Sequence, residues 1–542
     1  MLQSKLDDNK NSNPTARTTL SKFNGTLFCN ALVREEKKDV RKQAFSALDL
    51  QTSTKKPLSI ILAPQGKETP ATDLQKQLLG LGSYPPLSAK ISTHHKNLYK
   101  SLTKETQDHI HYLTEIGLGE RAKGIKLSCF KEENHVLEAI DLTPFTKRAP
   151  IPQEVIDFDP KLKNTIITTD PHSQYNKPDD LKKILDIRLY PALRNLIQNN
   201  RLEVFLGSKK EMGVYYKSVG SVLLFQFTIP SSATYYLIET NKGELCVIMA
   251  GLVSRENIIA QFLTLKLASI KIENIEIVGE IEHFFVRVKK DFDLLIQALP
   301  ELTFRNHALI VAGCGLESMV SDIVKKEFNE RLSKEKSFEG DIVSLIYTSL
   351  ANPGTDIHGF ISLNLNYGEI TEYIIKLLLE NCNCKHVFTG GAGGYILSQP
   401  DEQKPPIGTR VAITRSMNEH GEIAKLNEIN TFLGVNHYLS AMHLQIPSIF
   451  LETYEWLDHA KQRGQSVDVE TFYIIRAIQN YNKTNPSMAV KGDCGFFVSD
   501  YVGEQPLREY SKVYQKYAEV LSRFFHHILP IECNVSLNRI KI

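Results

Sequence analysis

A chain of 542 residues exceeds what a single hydrophobic core usually serves, so two or three domains are expected. Its 64 Lys and Arg nearly balance its 62 Asp and Glu, with no long basic block, and this gives no reason to look for a nucleic-acid partner. No uncharged apolar run reaches the roughly 18 residues that a membrane span needs, and the opening MLQSKLDDNKNSNPTARTTLSK lacks the apolar region of a secretory signal.

The expectation is therefore a cytoplasmic protein with no membrane partner, outside the Sec route though open to non-classical export. The eight cysteines are scattered, which suits reduced thiols better than a disulfide scaffold. Cys382-Asn383-Cys384 is the one close pair, and without a second pair or nearby histidine spacing it reads as a strand lead-in. No metal and no other cofactor is expected. The abundance of Lys, Asn and Ile is that of an AT-rich bacterial genome.

In chain order, residues 1–20 are polar and expected to be a disordered tail. Residues 21–150 read as mostly helical, with helices at Thr72–Leu79 and His94–Leu118 and a short strand at Leu58–Leu62. Prolines recur from Thr143 to Asp180 as in a linker, and residues 151–305 form that linker plus an α+β module. In the module the pattern predicts a helix at Leu181–Asn199, then strands at Val214–Tyr216, Val222–Phe227, Thr234–Thr240 and Leu245–Ala250. A helix at Arg255–Leu267, a strand pair within Ile272–Val288 and a helix at Phe292–Leu299 complete it.

From residue 306 to 542 the character changes to α/β. ALIVAGCGLESMVSDIVKKEF reads as a buried strand, a glycine turn and a helix. Strands follow at Asp341–Tyr347 and Ile357–Asn364, a helix at Tyr367–Leu379, a glycine-bearing strand at Lys385–Gly394 and a strand at Thr409–Thr414. Helices at Thr453–Gln462 and Val469–Gln479, a strand at Cys494–Val498 and a helix at Glu509–Phe525 close the chain.

Within this unit Gly390, Gly391, Gly393 and Gly394, interrupted by Ala392 alone, leave the backbone almost bare. Such a loop either lets main chain approach a flat ligand or serves a tight connection. Asp500, at the end of a late strand, is either a buried acid or a surface Asp; Glu470 is either a ligand or a first-turn acid on a helix. Asp468 reads as that helix's cap.

Three segments taken together resemble the purine nucleoside phosphorylase / uridine phosphorylase superfamily, and in layout most of all the methylthioadenosine/S-adenosylhomocysteine nucleosidases. LLLENCNCKHVFTGGAGG, ending at Gly394, resembles the helix–strand–T-G-x-A-G-G segment. Ser466–Ile474, SVDVETFYI, resembles the V-[DE]-M-E-[TAS] helix start, and Val498-Ser499-Asp500 resembles the S-D pair. The resemblance covers Ala308–Phe525. It implies a three-layer α/β domain with a central mixed sheet that cleaves the N-glycosidic bond of a purine nucleoside or nucleotide, by hydrolysis in preference to phosphorolysis.

Carried over residue by residue, the resemblance makes Asp500 the acid that protonates the leaving purine and Glu317 the group that activates water. It makes Glu470 the holder of the ribose hydroxyls, with Val469, Thr389, Gly390, Gly391, Ala392 and Gly393 lining base and sugar. The implied partner is a small nucleoside or nucleotide, and a homo-oligomer is compatible with the layout. The long upstream region points to a nucleotide substrate or to a bacterial defence or host-targeted role. There are departures: Asn364-Leu365-Asn366 stands where the family has a glycine-flanked loop, Val469 replaces a methionine, and Asn480–Pro486 looks inserted. The alternative reading is a catalytically degenerate domain that binds a purine ligand or serves as an interaction module.

Overall fold

A computed structural model describes residues 126–129, 140–161, 166, 185, 188–189, 191–228, 233–312, 317–328, 332–351, 356–364, 368–397, 404–426, 438–503 and 510–529. The tail at 1–20 and the elements expected at 58–62, 72–79 and 94–118 lie outside these residues.

The upstream unit contains β1 (Lys126–Cys129), β2 (Arg148–Ala149), α1 (Gln153–Asp157), α2 (Pro191–Asn199), β3 (Arg201–Phe205) and α3 (Lys209–Ser218). A meander follows, β4 (Val222–Thr228), β5 (Thr234–Glu239) and β6 (Leu245–Ala250), and then α4 (Arg255–Leu267), β7 (Glu276–Val278) and α5 (His283–Ala298). Its sheet has the order β1-β4-β5-β6-β3-β7-β2, antiparallel through the meander and parallel from β6 through β3 to β7.

Two expectations fail here for local reasons. The strand expected at Val214–Tyr216 is the middle of α3, because a capping box outweighs the β-propensity of Val-Tyr-Tyr. The Ser208 hydroxyl accepts from the Glu211 amide at 3.2 Å and the Glu211 carboxylate accepts from the Ser208 amide at 2.7 Å. The strand pair expected within Ile272–Val288 is a single short strand, β7, and its second half is α5. Phe284, Val288, Phe292 and Leu295 are all buried at helical spacing, and this period overrides the aromatic and β-branched content.

The downstream unit runs through β8 (His307–Ala312), α6 (Glu317–Glu327), β9 (Leu332–Glu339), β10 (Ser344–Leu350), β11 (Gly359–Asn364), α7 (Glu369–Asn381), β12 (Cys384–Gly390) and β13 (Ala392–Tyr395). It continues with β14 (Arg410–Ile413), β15 (Arg415–Met417), β16 (Ile423–Lys425), β17 (Tyr438–Ser440), β18 (His443–Gln445), α8 (Tyr454–Arg463), β19 (Ser466–Asp468) and α9 (Thr471–Thr484). Last come β20 (Lys491–Asp493), β21 (Gly495–Tyr501) and α10 (Tyr510–Ile528).

The unit is α/β. Its strands make a six-stranded mixed sheet, β20-β12-β8-β11-β10-β9, and an eight-stranded one, β16-β15-β18-β19-β13-β21-β14-β17. β8 explains the layering: Leu309 and Val311 join a core with Ile374, Leu378, Ile475 and Ile478 of α7 and α9. Ala308 and Ile310 join Val320, Val324, Leu521 and Phe524 of α6 and α10 on the other face. A strand covered on both faces is apolar throughout, which is why ALIVA was legible.

The two units share one hydrophobic core, in which Phe262 and Leu295 pack with Ile374 and Ile475. Polar contacts add to it. Arg287 Nε donates to Asp341 Oδ2 at 2.5 Å, and Asp291 Oδ2 accepts from the Ile342 and Val343 amides at 2.6 and 2.9 Å. Cys382 and Cys384 are buried in the core, where desolvation pushes the Cys382 thiol up to about 12. No helix among the described residues is long and apolar enough to cross a membrane.

Candidate active site

Strand β13 organises the site because it lies between β19 and β21. Gly394 pairs with Val467 on one side and Asp500 on the other, so the Asp468–Glu470 segment and Asp500 flank the same glycines. At the carboxyl ends of the parallel strands β8, β11 and β12, Ala312 is in register with both Asn364 and Gly390. This is where open α/β sheets bind ligands. Asn364 Oδ1 is buried there without a hydrogen-bond partner among the described residues.

The glycine segment is not the tight loop expected. β12 ends at Gly390 and β13 begins at Ala392, none of the cluster's glycines has a positive φ, and the chain passes from one sheet to the other through Gly391. A Cβ on Gly390 would stand 2.0 Å from Tyr517, one on Gly393 2.5 Å from Phe496, and one on Gly394 2.6 Å from Val502. Those three glycines therefore serve close packing inside the protein. At Gly391 a Cβ would meet nothing within 4 Å among the described residues. Bare main chain open to a ligand is thus confined to Gly391 and the half-buried Ala392. The Thr389 hydroxyl is engaged by Gly495, accepting from its amide at 2.9 Å, and so ties β12 to β21.

Asp500 is 2% exposed, and burial pushes its carboxyl to about 7 against the opposing Ser499 hydrogen bond. Ser499 Oγ lies 2.5 Å from Asp500 Oδ1 and 3.0 Å from the Gly393 carbonyl. A hydroxyl has one proton, so Ser499 donates either to Asp500 Oδ1 or to the Gly393 carbonyl, and when it donates to Oδ1 the proton of a neutral Asp500 sits on Oδ2. Asp500 Oδ2 is buried with no partner among the described residues, 3.4 Å from where a Gly394 Cβ would be. The acid is thus poised near neutrality with one oxygen uncommitted.

Across β13, Asp468 does the capping that its position suggested. Its Oδ1 accepts from the Glu470 and Thr471 amides at 3.0 and 2.9 Å, and its Oδ2 accepts from the Thr471 hydroxyl. Burial opposes its charge, but the His443 imidazole and the Thr471 hydrogen bonds outweigh burial and hold the carboxyl below its usual value. Ser440 Oγ donates to the Met442 carbonyl at 3.0 Å, which leaves Ser466 to donate to Ser440 and His443 Nδ1 to donate to Ser466. His443 Nε2 faces Asp468 Oδ1 at 2.9 Å, bent away from the hydrogen-bond line.

Glu470 is the N-cap residue of α9, yet its side chain does not cap the helix, since Asp468 does. Burial, and then the adjacent Asp468 charge, push the Glu470 carboxyl well above its usual value. It nevertheless keeps accessible surface, as does Val469 beside it, which is the condition of a group lining a recess. Glu317 opens α6, but its side chain and the Gly313–Leu316 segment lie outside the described residues.

Sequence reasoning missed His443 and Arg410. Arg410 is buried, donates to the Thr389 and Asp493 carbonyls at 3.1 Å each, and sets Nη1 2.8 Å from Asp493 Oδ1. Its guanidinium lies 4.7 Å from the Phe388 ring centroid. An isolated Arg or His in a short strand carries no spacing signal that could have found either. Arg415 has an exposed side chain on β15.

No protein-family model matches the chain, and no curated protein does. Among solved structures it is similar to members of the superfamily that its motifs resemble. A putative methylthioadenosine nucleosidase from Weissella paramesenteroides matches at 15% identity and TM-score 0.31, over 42% of this chain and 98% of that one. A putative 5′-methylthioadenosine/S-adenosylhomocysteine nucleosidase from Borrelia burgdorferi bound to adenine matches at 13% and 0.29, over 41% and 98%. A purine nucleoside phosphorylase from Toxoplasma gondii in complex with immucillin-H matches at 10% and 0.29, over 42% and 94%.

Proposed function

We propose that the downstream unit cleaves the N-glycosidic bond of a purine nucleoside or nucleotide. The observation that carries this reading is Asp500: a fully enclosed carboxyl poised at about 7, with no partner for Oδ2 among the described residues, beside Gly394 on the strand that follows the open Gly391. As the bond from base nitrogen to sugar carbon breaks, its electron pair goes to the purine, and Asp500 gives that base a proton. The other oxygen of Asp500 stays hydrogen-bonded to Ser499.

The developing oxocarbenium sugar is held through its hydroxyls by Glu470 and packs on Val469, and the base rests against Gly391 and Ala392. Water attacks the sugar carbon and loses a proton to Glu317, the one carboxylate in Gly313–Ser318. Hydrolysis is favoured over phosphorolysis because that segment supplies no arginine, and Arg415 is turned to solvent. The test is release of free base from a panel of purine nucleosides and nucleotides, with and without phosphate. Turnover in phosphate-free buffer supports the reading. A requirement for phosphate, with sugar 1-phosphate as product, would reassign the nucleophile, and no release from any substrate would leave a ligand-binding domain.

A further inference from the structure

Helix α7 begins at Gly368, which has no side chain with which to cap it, and the acceptor comes from the upstream unit. Glu256, in the first turn of α4, is 3% exposed and sets Oε1 3.4 Å from the Glu369 amide. The same oxygen accepts from the Tyr473 hydroxyl of α9 at 3.2 Å. The fit is tight: a Cβ on Gly368 would stand 1.8 Å from Glu256 Cδ, and Gly368 has φ +78. No side chain larger than hydrogen fits there.

Two helix N-termini therefore meet at one buried carboxyl, its own and that of α7, and α9 reaches it through the Tyr473 hydroxyl, three residues beyond Glu470. The aligned peptide dipoles of these ends favour the acceptor oxygen and offset part of its desolvation. The α4 end is itself fixed, since Ser254 Oγ accepts from the Asn257 amide at 3.1 Å and Arg255 Nη2 donates to Glu154 Oε1 at 2.5 Å. A second contact runs in parallel, with the Phe285 ring edge-on to Tyr373 of α7 at 5.2 Å.

We infer that Glu256 is a positioning residue for the glycosidic site: through Tyr473 and the Gly368 end of α7, the upstream unit sets the start of α9 and hence the direction of Glu470. This rests on the reading of Glu470 as the group that holds the ribose hydroxyls. It gives the upstream unit a part in substrate selection that the downstream unit could not supply alone, because the carboxyl reaches the site end of both helices from outside it. The chemistry selected for is a sugar with adjacent hydroxyls, since that is what a correctly aimed carboxyl recognises.

The test uses the full chain as Glu256→Ala, Glu256→Gln and Tyr473→Phe. With a purine ribonucleoside, Glu256→Ala is expected to raise KM roughly tenfold, as loss of a remote positioning contact does. The 2′,3′-dideoxy counterpart should show the same KM in parent and variant, because it has no diol for Glu470 to hold. Glu256→Gln keeps the acceptor oxygen and should restore the parental KM, and Tyr473→Phe should reproduce part of the Glu256→Ala effect. An equal KM change on both substrates, or none, would overturn the inference.

Backbone amide exchange at Thr471–Ile474 and Glu369–Thr371 gives a second readout that needs no turnover. Faster exchange there in Glu256→Ala, with the rest of the chain unchanged, supports the clamp, and unchanged exchange overturns it. If the parent releases no purine yet exchange accelerates, the reading of function falls while the clamp stands.

Discussion

His443 Nε2 stands 2.9 Å from Asp468 Oδ1, with side chains 0% and 8% exposed, so the carboxylate that caps α9 beside Glu470 is faced by an imidazole from the neighbouring strand β18. This pair links packing to the site. Without the imidazole, Asp468 would keep its three hydrogen bonds but remain a charge in a dry interior.

The first prediction follows from that. Removing one partner of a buried pair typically costs about 3–5 kcal/mol, and the hydrogen bonds remaining on Asp468 put His443→Ala at the lower end. Because the folded Asp468 carboxyl is held low, its contribution is present above the ordinary carboxyl pKa of about 4 and is lost as pH falls through the folded value. Urea unfolding of His443→Ala should show a lower midpoint at neutral pH and a shallower loss toward acid. A midpoint equal to the parent's would mean that the pair contributes nothing.

The glycines separate by what surrounds them. Gly390→Ala would drive a methyl into Tyr517 and Gly393→Ala one into Phe496, and overpacking of this kind costs roughly 1–3 kcal/mol or more. Gly391→Ala meets no atom of the described residues within 4 Å and should leave thermal unfolding unchanged while weakening purine binding by calorimetry. A Gly391→Ala protein that bound purine as tightly as the parent would show that the open space there is not the base site.

Arg410→Lys is not a conservative change. The guanidinium serves two carbonyls and the Asp493 carboxylate at once and lies over Phe388, and a lysine ammonium cannot reproduce that fork. A loss of about 2–4 kcal/mol is expected, since buried donors and acceptors are left unmatched. Arg415→Lys, on exposed β15, should fall within about 0.5 kcal/mol of the parent. Equal unfolding midpoints for the two variants would contradict the role given to Arg410.

What the sequence revealed depended on whether a residue's job lies within its own segment. The strand at Ala308, the helix at Arg255 and the serial motifs at Thr389–Gly394, Asp468–Glu470 and Ser499–Asp500 could be read because periodicity and spacing are local. Asp500 was recognisable by its place after Ser499, whereas its elevated carboxyl comes from burial that no short segment encodes. His443, Arg410 and Glu256 escaped because each acts on a residue far along the chain; Glu256 and Tyr473 are separated by 217 positions. The glycine cluster was legible in the sequence, but the packing that requires its glycines was not. The need for glycine at Gly390 and Gly393 comes from Tyr517 and Phe496, which reach it only after folding.

The last prediction turns on the cost of keeping Asp500 protonated. The folded carboxyl titrates at about 7 and the unfolded one near 3.8, so the folded protein holds an extra proton between those values and stability falls as pH rises through that window. At 1.36 kcal/mol per pH unit the full penalty above pH 7 is on the order of 4 kcal/mol, an upper bound because local water entry relieves part of it. Asp500→Asn removes the titration, keeps the shape and still offers Ser499 a partner. It should therefore be more stable than the parent at pH 8 and nearly equal to it at pH 4. The same change removes the proton donor, so purine release should fall about 10²–10⁴-fold. In the parent, turnover should decline as pH rises through about 7, when Asp500 loses its proton. Thermal unfolding of parent and variant at pH 4 and 8, beside initial rates across that range, checks both halves. A variant destabilised at pH 8, or one that releases purine at the parental rate, would remove Asp500 from the position of acid.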